Sequence, residues 1–309
     1  MSARDAALAA RDASRALQAA PTSVRVAALT HLADSLLARS ADVLAANAAD
    51  VAAADAAGVE GALRQRLALT EGKLATLAAG IRAIAATDEP LGRVTSRTRV
   101  ADGLILEKTA AAIGVLLVIF ESRPDALPQI AALAIRSGNG LLLKGGKEAA
   151  RSNAILHELV CDAVAAAAPG VGRGLVALVT TRAGVDELLA LDDVIDLCIP
   201  RGGNALVTHV QARTKIPVLG HADGVCHMYV DAAADPAMAA ALAVDAKTDY
   251  PAACNAVETV LIHERFAGRD ALLKALTDAG VTLHGGPAAV AALGLPPPPP
   301  CPTSTAPWT

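Results

Sequence analysis

Apolar residues recur at helical spacing through the first ninety positions. After Pro21 and Thr22, the side chains of Leu29, Leu32, Leu36 and Leu37 fall on one helical face. A further helix is expected from residue 41 to about 57, stopped at Gly58. Leu74, Leu77, Ile81 and Ile84 mark another stripe, closed by Asp88, Glu89 and Pro90. The period then changes. Residues 94–100 and 104–109 flank Ala101, Asp102 and Gly103, and Asp-Gly between extended segments signals a β-hairpin. Such a hairpin interrupts two αβ-rich regions and is placed to reach a partner subunit.

From Gly114 onward, short apolar runs alternate with amphipathic helices. Residues 115–119 read as a buried strand and residues 124 to about 137 as a helix. Residues 141–144 form the next strand, followed by Gly145 and Gly146 and a helix from about 147 to 168. Further strands are expected at 175–179, 194–199 and 225–230. The pattern predicts an α/β fold with a Rossmann-type parallel sheet covered on both faces. Ligands on such sheets lie beyond the carboxyl ends of the strands, which singles out the loops 121–124, 145–147 and 200–204. After Pro251 a smaller αβ region begins, with strands at 259–262 and 281–284. Leu295 then runs into five prolines, and 295–309 reads as a Pro-rich disordered tail. The expected division is 1–250, carrying the hairpin region 92–113, then 251–294 and the tail.

Composition narrows the function classes. Hydrophobic residues make up 53% of the 309 positions but aromatics only 2%, so Ala, Val and Leu must build the core. The 27 basic and 31 acidic residues leave a net charge of −4, with no basic field for nucleic acid, so anion binding must be local. The longest apolar run, 109–120, is shorter than the roughly 20 residues that span a bilayer. Asp5 and Asp12 among Arg4 and Arg11 argue against a secretory or transit leader. Five scattered cysteines form no CxxC and no metal-ligand spacing, which fits a reducing, cytoplasmic setting and no metal.

Cys254 follows small residues where one αβ unit gives way to the next, a place for an accessible nucleophile. A free cysteine is more often a buried structural one, and Cys161 in a helix and Cys198 in an apolar strand fit that plainer description. Cys226 and His227 are adjacent on a strand and so face opposite ways, which rules out a thiolate pair. Lys144, Gly145, Gly146 and Lys147 follow a strand and open a helix, an arrangement suited to a phosphate; taken alone it is equally a plain turn with solvated lysines. Arg201, Gly202, Gly203 and Asn204 repeat the layout. Two such loops on one sheet favour a dinucleotide or a phosphorylated substrate. Ser122 and Arg123 offer a hydroxyl and a guanidinium at the end of a third strand.

The blocks 114–153 (with FESRPD and LLLKGGKEAARSN), 196–203, 216–231 and 249–259 (with YPAACN), together with 69–85, closely resemble the glutamate-5-semialdehyde dehydrogenase (γ-glutamyl phosphate reductase) family. That family belongs to the aldehyde dehydrogenase superfamily, and also supplies the reductase half of pyrroline-5-carboxylate synthase. The resemblance covers the chain to about Gly286. It implies an aldehyde dehydrogenase-like fold with N-terminal helices, an inserted hairpin that makes a homo-oligomer, and an incomplete second αβ catalytic domain. It implies reduction of L-glutamyl 5-phosphate by NADPH through a thioester on Cys254, in proline biosynthesis. Asn255 and Ser122 are then candidates for the side chain that stabilises the oxyanion. NADP(H) falls on Lys144, Gly145, Gly146 and Lys147, with Arg201, Gly202 and Gly203 nearby and Lys147 for the 2′-phosphate. Arg123 and His221 become candidates for the substrate phosphate or carboxylate. The water-activating glutamate of ordinary aldehyde dehydrogenases aligns near Val218, where this chain has no carboxylate, in keeping with phosphate rather than water as acyl partner. The resemblance implies that relatives continue past the region matched here, and with no glutamate kinase domain expected ahead of residue 1 the chain is not expected to make its own acyl phosphate. The chain is therefore expected to be cut short, with an inactive fragment that binds NADP or full-length subunits as the alternative. An acylating enzyme using coenzyme A thioesters is disfavoured by the FESRPD and YPAACN blocks.

Overall fold

The computed structural model describes residues 2–298 except 60, 122, 181, 222, 223 and 252. The chain separates into two compact units, Met1–Ala222 and Asp223–Thr309. The division falls at 222/223 rather than at 250/251, because the strand expected at 225–230 joins a different sheet.

The first unit opens with helices α1 (Ala3–Ala19), α2 (Thr22–Ala38), α3 (Ser40–Ala56), α4 (Gly61–Leu67) and α5 (Glu71–Ala85). Ser2 and Asp5 form a capping box at the start of α1, and the Thr70 hydroxyl accepts from the Lys73 N–H at the start of α5. Strands β1 (Val94–Ala101) and β2 (Leu104–Thr109) form the expected antiparallel hairpin, with Gly103 at φ 73° in its turn. Every residue of both strands is exposed.

The alternating region gives β3 (Val115–Phe120), α6 (Ala126–Arg136), β4 (Gly140–Lys144), a 3₁₀ turn (Lys147–Ala149), α7 (Ala150–Ala167), β5 (Val176–Leu178), α8 (Arg182–Leu189), β6 (Leu197–Arg201) and α9 (Asn204–Arg213). The four strands are parallel in the order β5-β4-β3-β6. Alternation along β3 sends Leu116, Val118 and Phe120 into a cluster with Leu29 and Leu32 of α2, Ile81 of α5, Ile135 of α6 and Leu156 of α7. Val115, Leu117 and Ile119 point the other way, against Ala7 and Ala10 of α1 and Leu188 of α8. Both faces are thus covered, which is why these strands read as unbroken apolar runs.

One strand is shorter than its apolar run. Val194 and Ile195 donate back to Leu191 O in a turn, so β6 starts at Leu197; these two residues are apolar because they are buried against α1 and the sheet. The sheet is extended beyond β6 by the segment at Val218, which runs parallel beside Cys198.

The second unit contains β7 (Cys226–Val230), α10 (Pro236–Thr248), β8 (Val257–Ile262), α11 (Arg269–Asp278) and α12 (Pro287–Leu293). Strands β7 and β8 pair in parallel around α10, a single βαβ unit. Their core holds Val230, Ala239, Ala243, Phe266, Leu272 and Leu276. The strand expected at 281–284 does not form. Val281 donates to Leu276 O, and Val281 and Leu283 pack on this core as irregular chain. The beginning of the expected disordered tail is also tied down, since Gly285 N–H donates to Pro296 O at 2.7 Å. Residues 299–309 lie outside the described residues.

Candidate active site

The carboxyl edge of the four-stranded sheet gathers most of the nominated residues. The chain runs from β3 through β4 to β5 on one side, while β6 lies on the other, so the order reverses between β3 and β6. A ligand crevice is expected at that reversal. Phe120 and Arg201 are register partners at the two strand ends there. A side chain on Gly202 would place its Cβ 2.8 Å from Glu121 Oε2, so the loops following β3 and β6 touch. Gly220 and His221 follow the strand-like segment at Val218, which runs the same way as β6. Arg123, Arg201 and His221 are all exposed on this edge, whereas Ser122 lies outside the described residues.

The Gly145–Lys147 loop stands one strand further along, at the ends of β4 and β5. Gly145 is buried, Lys147 is exposed, and Lys144 Nζ donates to Gly145 O. Gly145, Lys147, Asn153, Leu178 and Thr180 are among the walls of a pocket here of about 30 Å³, room for a water or two or for the edge of a larger ligand. Asn153 is 2% exposed, and its Oδ1 has no hydrogen-bond partner.

The helix that follows differs from the expectation of a free phosphate-binding pole. Its first amides already have an anion. The Asp50 carboxylate, 2% exposed on α3, accepts from the N–H of Arg151 at 3.2 Å, the N–H of Ser152 at 2.8 Å and the Ser152 hydroxyl at 2.8 Å. Asn47 completes the network by donating to Ser152 Oγ and to Leu67 O, and by accepting from Leu69 N–H. The pole of α7 is therefore neutralised by the chain itself. What remains for a ligand is the glycine loop, the 3₁₀ turn and the exposed Lys147. Sequence reading missed Asp50, one acid in an alanine-rich helix 101 positions from its partner. Asn153 was within reach of it: a residue in the first turn of a helix points its side chain back toward the preceding loop.

In the second unit, Cys254 and Asn255 sit in a turn before β8, both exposed. Ala253 N–H donates to Tyr250 O and Ala256 N–H to Ala253 O, which folds the chain tightly around the cysteine. Gly224 packs directly on it: a Cβ there would meet Cys254 O at 2.0 Å. The Cys226 thiol donates to the same carbonyl at 3.4 Å. The other described cysteines differ in kind. Burial pushes the Cys161 thiol up to about 11 and the Cys198 thiol up to about 12. Cys161 lies 3.4 Å from His157 Nε2, but burial lowers that imidazole's pKa, so the pair stays neutral and yields no thiolate. Of the four described cysteines, only Cys254 is exposed.

No family model matches the chain. Delta-1-pyrroline-5-carboxylate synthase A of Arabidopsis thaliana is 56% identical over 297 residues, covering 95% of this chain and 41% of that protein. The solved γ-glutamyl phosphate reductase of Thermotoga maritima superposes with a TM-score of 0.90 at 30% identity, over 97% of this chain and 73% of that one. The chain belongs to the γ-glutamyl phosphate reductase family. The Saccharomyces cerevisiae γ-glutamyl phosphate reductase agrees, with 39% identity, a TM-score of 0.68, and coverage of 94% of this chain and 73% of that one. More distant aldehyde dehydrogenases share the α/β fold alone. The chain spans about two-fifths of the length of the plant synthases it matches. Among the described residues, no helix is long and apolar enough to cross a membrane.

The nominated residues fall into two sets. Lys144–Lys147, Arg201–Gly203, Arg123 and His221 share one edge of the first unit's sheet, while Cys254 and Asn255 belong to the second unit.

Proposed function

We propose that the chain carries the reduction of L-glutamyl 5-phosphate to L-glutamate 5-semialdehyde, with release of phosphate, using NADPH. The observation that carries this reading is the exposed Cys254 turn in a chain 56% identical to a pyrroline-5-carboxylate synthase. Cys254 Sγ attacks the acyl carbon, the C–O bond to phosphate breaks, and a γ-glutamyl thioester forms on the sulfur. The nicotinamide cofactor, when bound, supplies the hydride that reduces this thioester; the C–S bond then breaks and Cys254 leaves as the thiolate. The Cys254 N–H and the Asn255 side chain are the candidates to stabilise the developing oxyanion, with Ser122 the other candidate; the tight turn around Cys254 supports this reading. The segment 217–220 holds no carboxylate, which leaves the thioester to hydride rather than to water.

The residues present fit a nicotinamide dinucleotide. The glycine loop at the ends of β4 and β5, where Gly145 leaves no room for a side chain, and the exposed Lys147 together offer a close backbone approach and a cation. Lys147 suits the 2′-phosphate that distinguishes NADPH, while Arg123 and His221 suit the substrate's phosphate or carboxylate. The exposed hairpin supports a homo-oligomer, and the cytoplasm supplies the reducing setting for a free thiol.

The test is the reverse reaction, phosphate-dependent reduction of NADP⁺ with glutamate 5-semialdehyde, in the purified chain and in Cys254→Ala. Turnover that falls by about 10³-fold or more in the variant supports the reading. Absent turnover in a chain that still binds NADPH would replace it with the second reading, in which the chain holds nucleotide or companion subunits without reacting.

A further inference from the structure

We propose that Cys226 is a resolving thiol for Cys254, and that a peroxide joins the two in a reversible disulfide. The linkage itself needs no turnover; its consequence for catalysis rests on the function proposed above. Both residues belong to the second unit. Cys226 opens β7 and is half-buried, while Cys254 is exposed in the turn before β8.

The backbone brings the two segments into contact. Cys226 is the register partner of Val257, three positions beyond Cys254, and the ladder is irregular between Cys226 and His227. A Cβ on Gly224 would fall 2.0 Å from Cys254 O, 2.8 Å from its carbonyl carbon and 3.1 Å from its Cα, so a glycine is what lets the segments approach this closely. The Cys226 thiol donates to the Cys254 carbonyl oxygen at 3.4 Å. A carbonyl oxygen stands about 2.4 Å from its own Cα, which puts Cys226 Sγ within about 6 Å of Cys254 Cα. Disulfides join cysteines whose Cα atoms are roughly 4.4–6.8 Å apart. Cys254 sits in a turn rather than in a ladder, and its exposed side chain can rotate toward its neighbour. Cys161 and Cys198 are buried in the cores of the first unit and offer no such partner.

The chemistry proceeds in two steps. The Cys254 thiolate attacks a peroxide oxygen, the O–O bond breaks, and the departing oxygen takes a proton and leaves as water. The sulfur is oxidised to a sulfenic acid as the peroxide is reduced. Cys226 then attacks the sulfenic sulfur. The S–S bond forms, the S–O bond breaks, and hydroxide leaves with the Cys226 proton as a second water. A thiol reductant returns both residues to thiols. Further oxidation of an unresolved sulfenic acid gives sulfinic and sulfonic acids, which thiols do not reduce. The pairing therefore halts Cys254 at a recoverable stage.

The experiment uses the full chain, reduced and then exposed to a slight excess of hydrogen peroxide. Wild type, Cys226→Ser and Cys226→Ala are mapped by peptide mass spectrometry without reduction, after the remaining thiols are blocked. Far-UV circular dichroism of the reduced proteins checks that each replacement folds. Wild type should yield a peptide pair joined through Cys226 and Cys254, lighter by two hydrogens than its parts. After dithiothreitol, alkylation of Cys254 should return nearly to its starting level in wild type. It should return several-fold less in both variants, whose Cys254 carries added oxygens instead. Where a replacement disturbs folding, the wild-type map alone decides the linkage. Cys254 joined to Cys301 or to a second chain, or recovered equally in all three proteins, would overturn the proposal. Turnover in the reverse reaction should vanish with the cross-link and return on reduction. A chain that cross-links but never turns over when reduced would keep the disulfide and remove the function reading.

Discussion

At position 145 a side chain has no free space, since its Cβ would press on both the Asn153 amide and the Phe120 ring. Gly145→Ala is expected to destabilise the fold by about 1–3 kcal/mol, the usual cost of overpacking, and to weaken the proposed nucleotide binding by distorting the glycine loop. Urea denaturation and an NADPH titration check the two effects separately. Glu89 presents a different single-residue case. Burial raises its pKa, but this is outweighed by hydrogen bonds from the Thr22 hydroxyl, the Leu91 N–H, Arg136 and Arg25, so the carboxyl ends at about 2 instead of 4.5. A folded-state pKa below the unfolded value means the group stabilises fully above about pH 4.5 and progressively less as the pH falls toward 2. Urea midpoints between pH 6 and pH 3 should therefore drop more steeply in wild type than in Glu89→Gln; parallel curves would show that the carboxylate is not the titrating group. Arg25 and Arg136, both nearly buried, lean on this one acid, so the variant should also be less stable at pH 7.

Helix α7 begins at a buried carboxylate, and that element depends on a residue far from it in sequence. Asp50→Ala removes the acceptor for two helix-start amides and for the Ser152 hydroxyl, and is expected to cost about 1–3 kcal/mol. Asp50→Asn, which keeps one oxygen acceptor, should recover part of it; equal midpoints for all three proteins would show that the cap contributes nothing. The β1–β2 hairpin carries exposed Val100, Leu104, Ile105 and Leu106 and buries none of its residues within its own chain. A lone two-stranded hairpin is marginally stable in water. For the proposed homo-oligomer, Ile105→Ser with Leu106→Ser is thus expected to shift sedimentation toward monomer while leaving far-UV circular dichroism nearly unchanged. Much of this was legible in the sequence. The strands β3 and β4, the hairpin with its Asp102-Gly103 turn, and the glycine loops at the strand ends all followed from local periodicity and turn chemistry. What escaped depends on distant partners. Asp50 in an alanine-rich helix gives no sign of capping α7. Val194 and Ile195 look like strand because burial in a turn selects the same residues. Nothing in the strand at 226–230 itself says which sheet it joins, and only its pairing with Val257–Ile262 places it in the second unit.

The two units carry cores of different depth. The first packs helices on both faces of a sheet, with Leu17, Leu29, Leu32, Leu117, Leu141 and Leu142 fully buried, whereas the second gathers six buried side chains around one βαβ. Local stability follows buried apolar contact. Amide hydrogens of β7 and β8 should exchange with solvent well before those of β3 and β4, and nucleotide should slow exchange first around residues 145–153. Uniform exchange across both sheets would mean that the units unfold as one. The poverty of aromatic residues makes that distinction easy to see. Tyr229 and Tyr250 both belong to the second unit, the only tryptophan is Trp308, and the 222 residues of the first contain neither type. Near-ultraviolet absorbance and emission thus come from the smaller unit and the chain end, while most of the far-ultraviolet helical signal comes from the larger one. A melt recorded in both wavelength ranges gives each unit its own colour, with no label attached and no cut made.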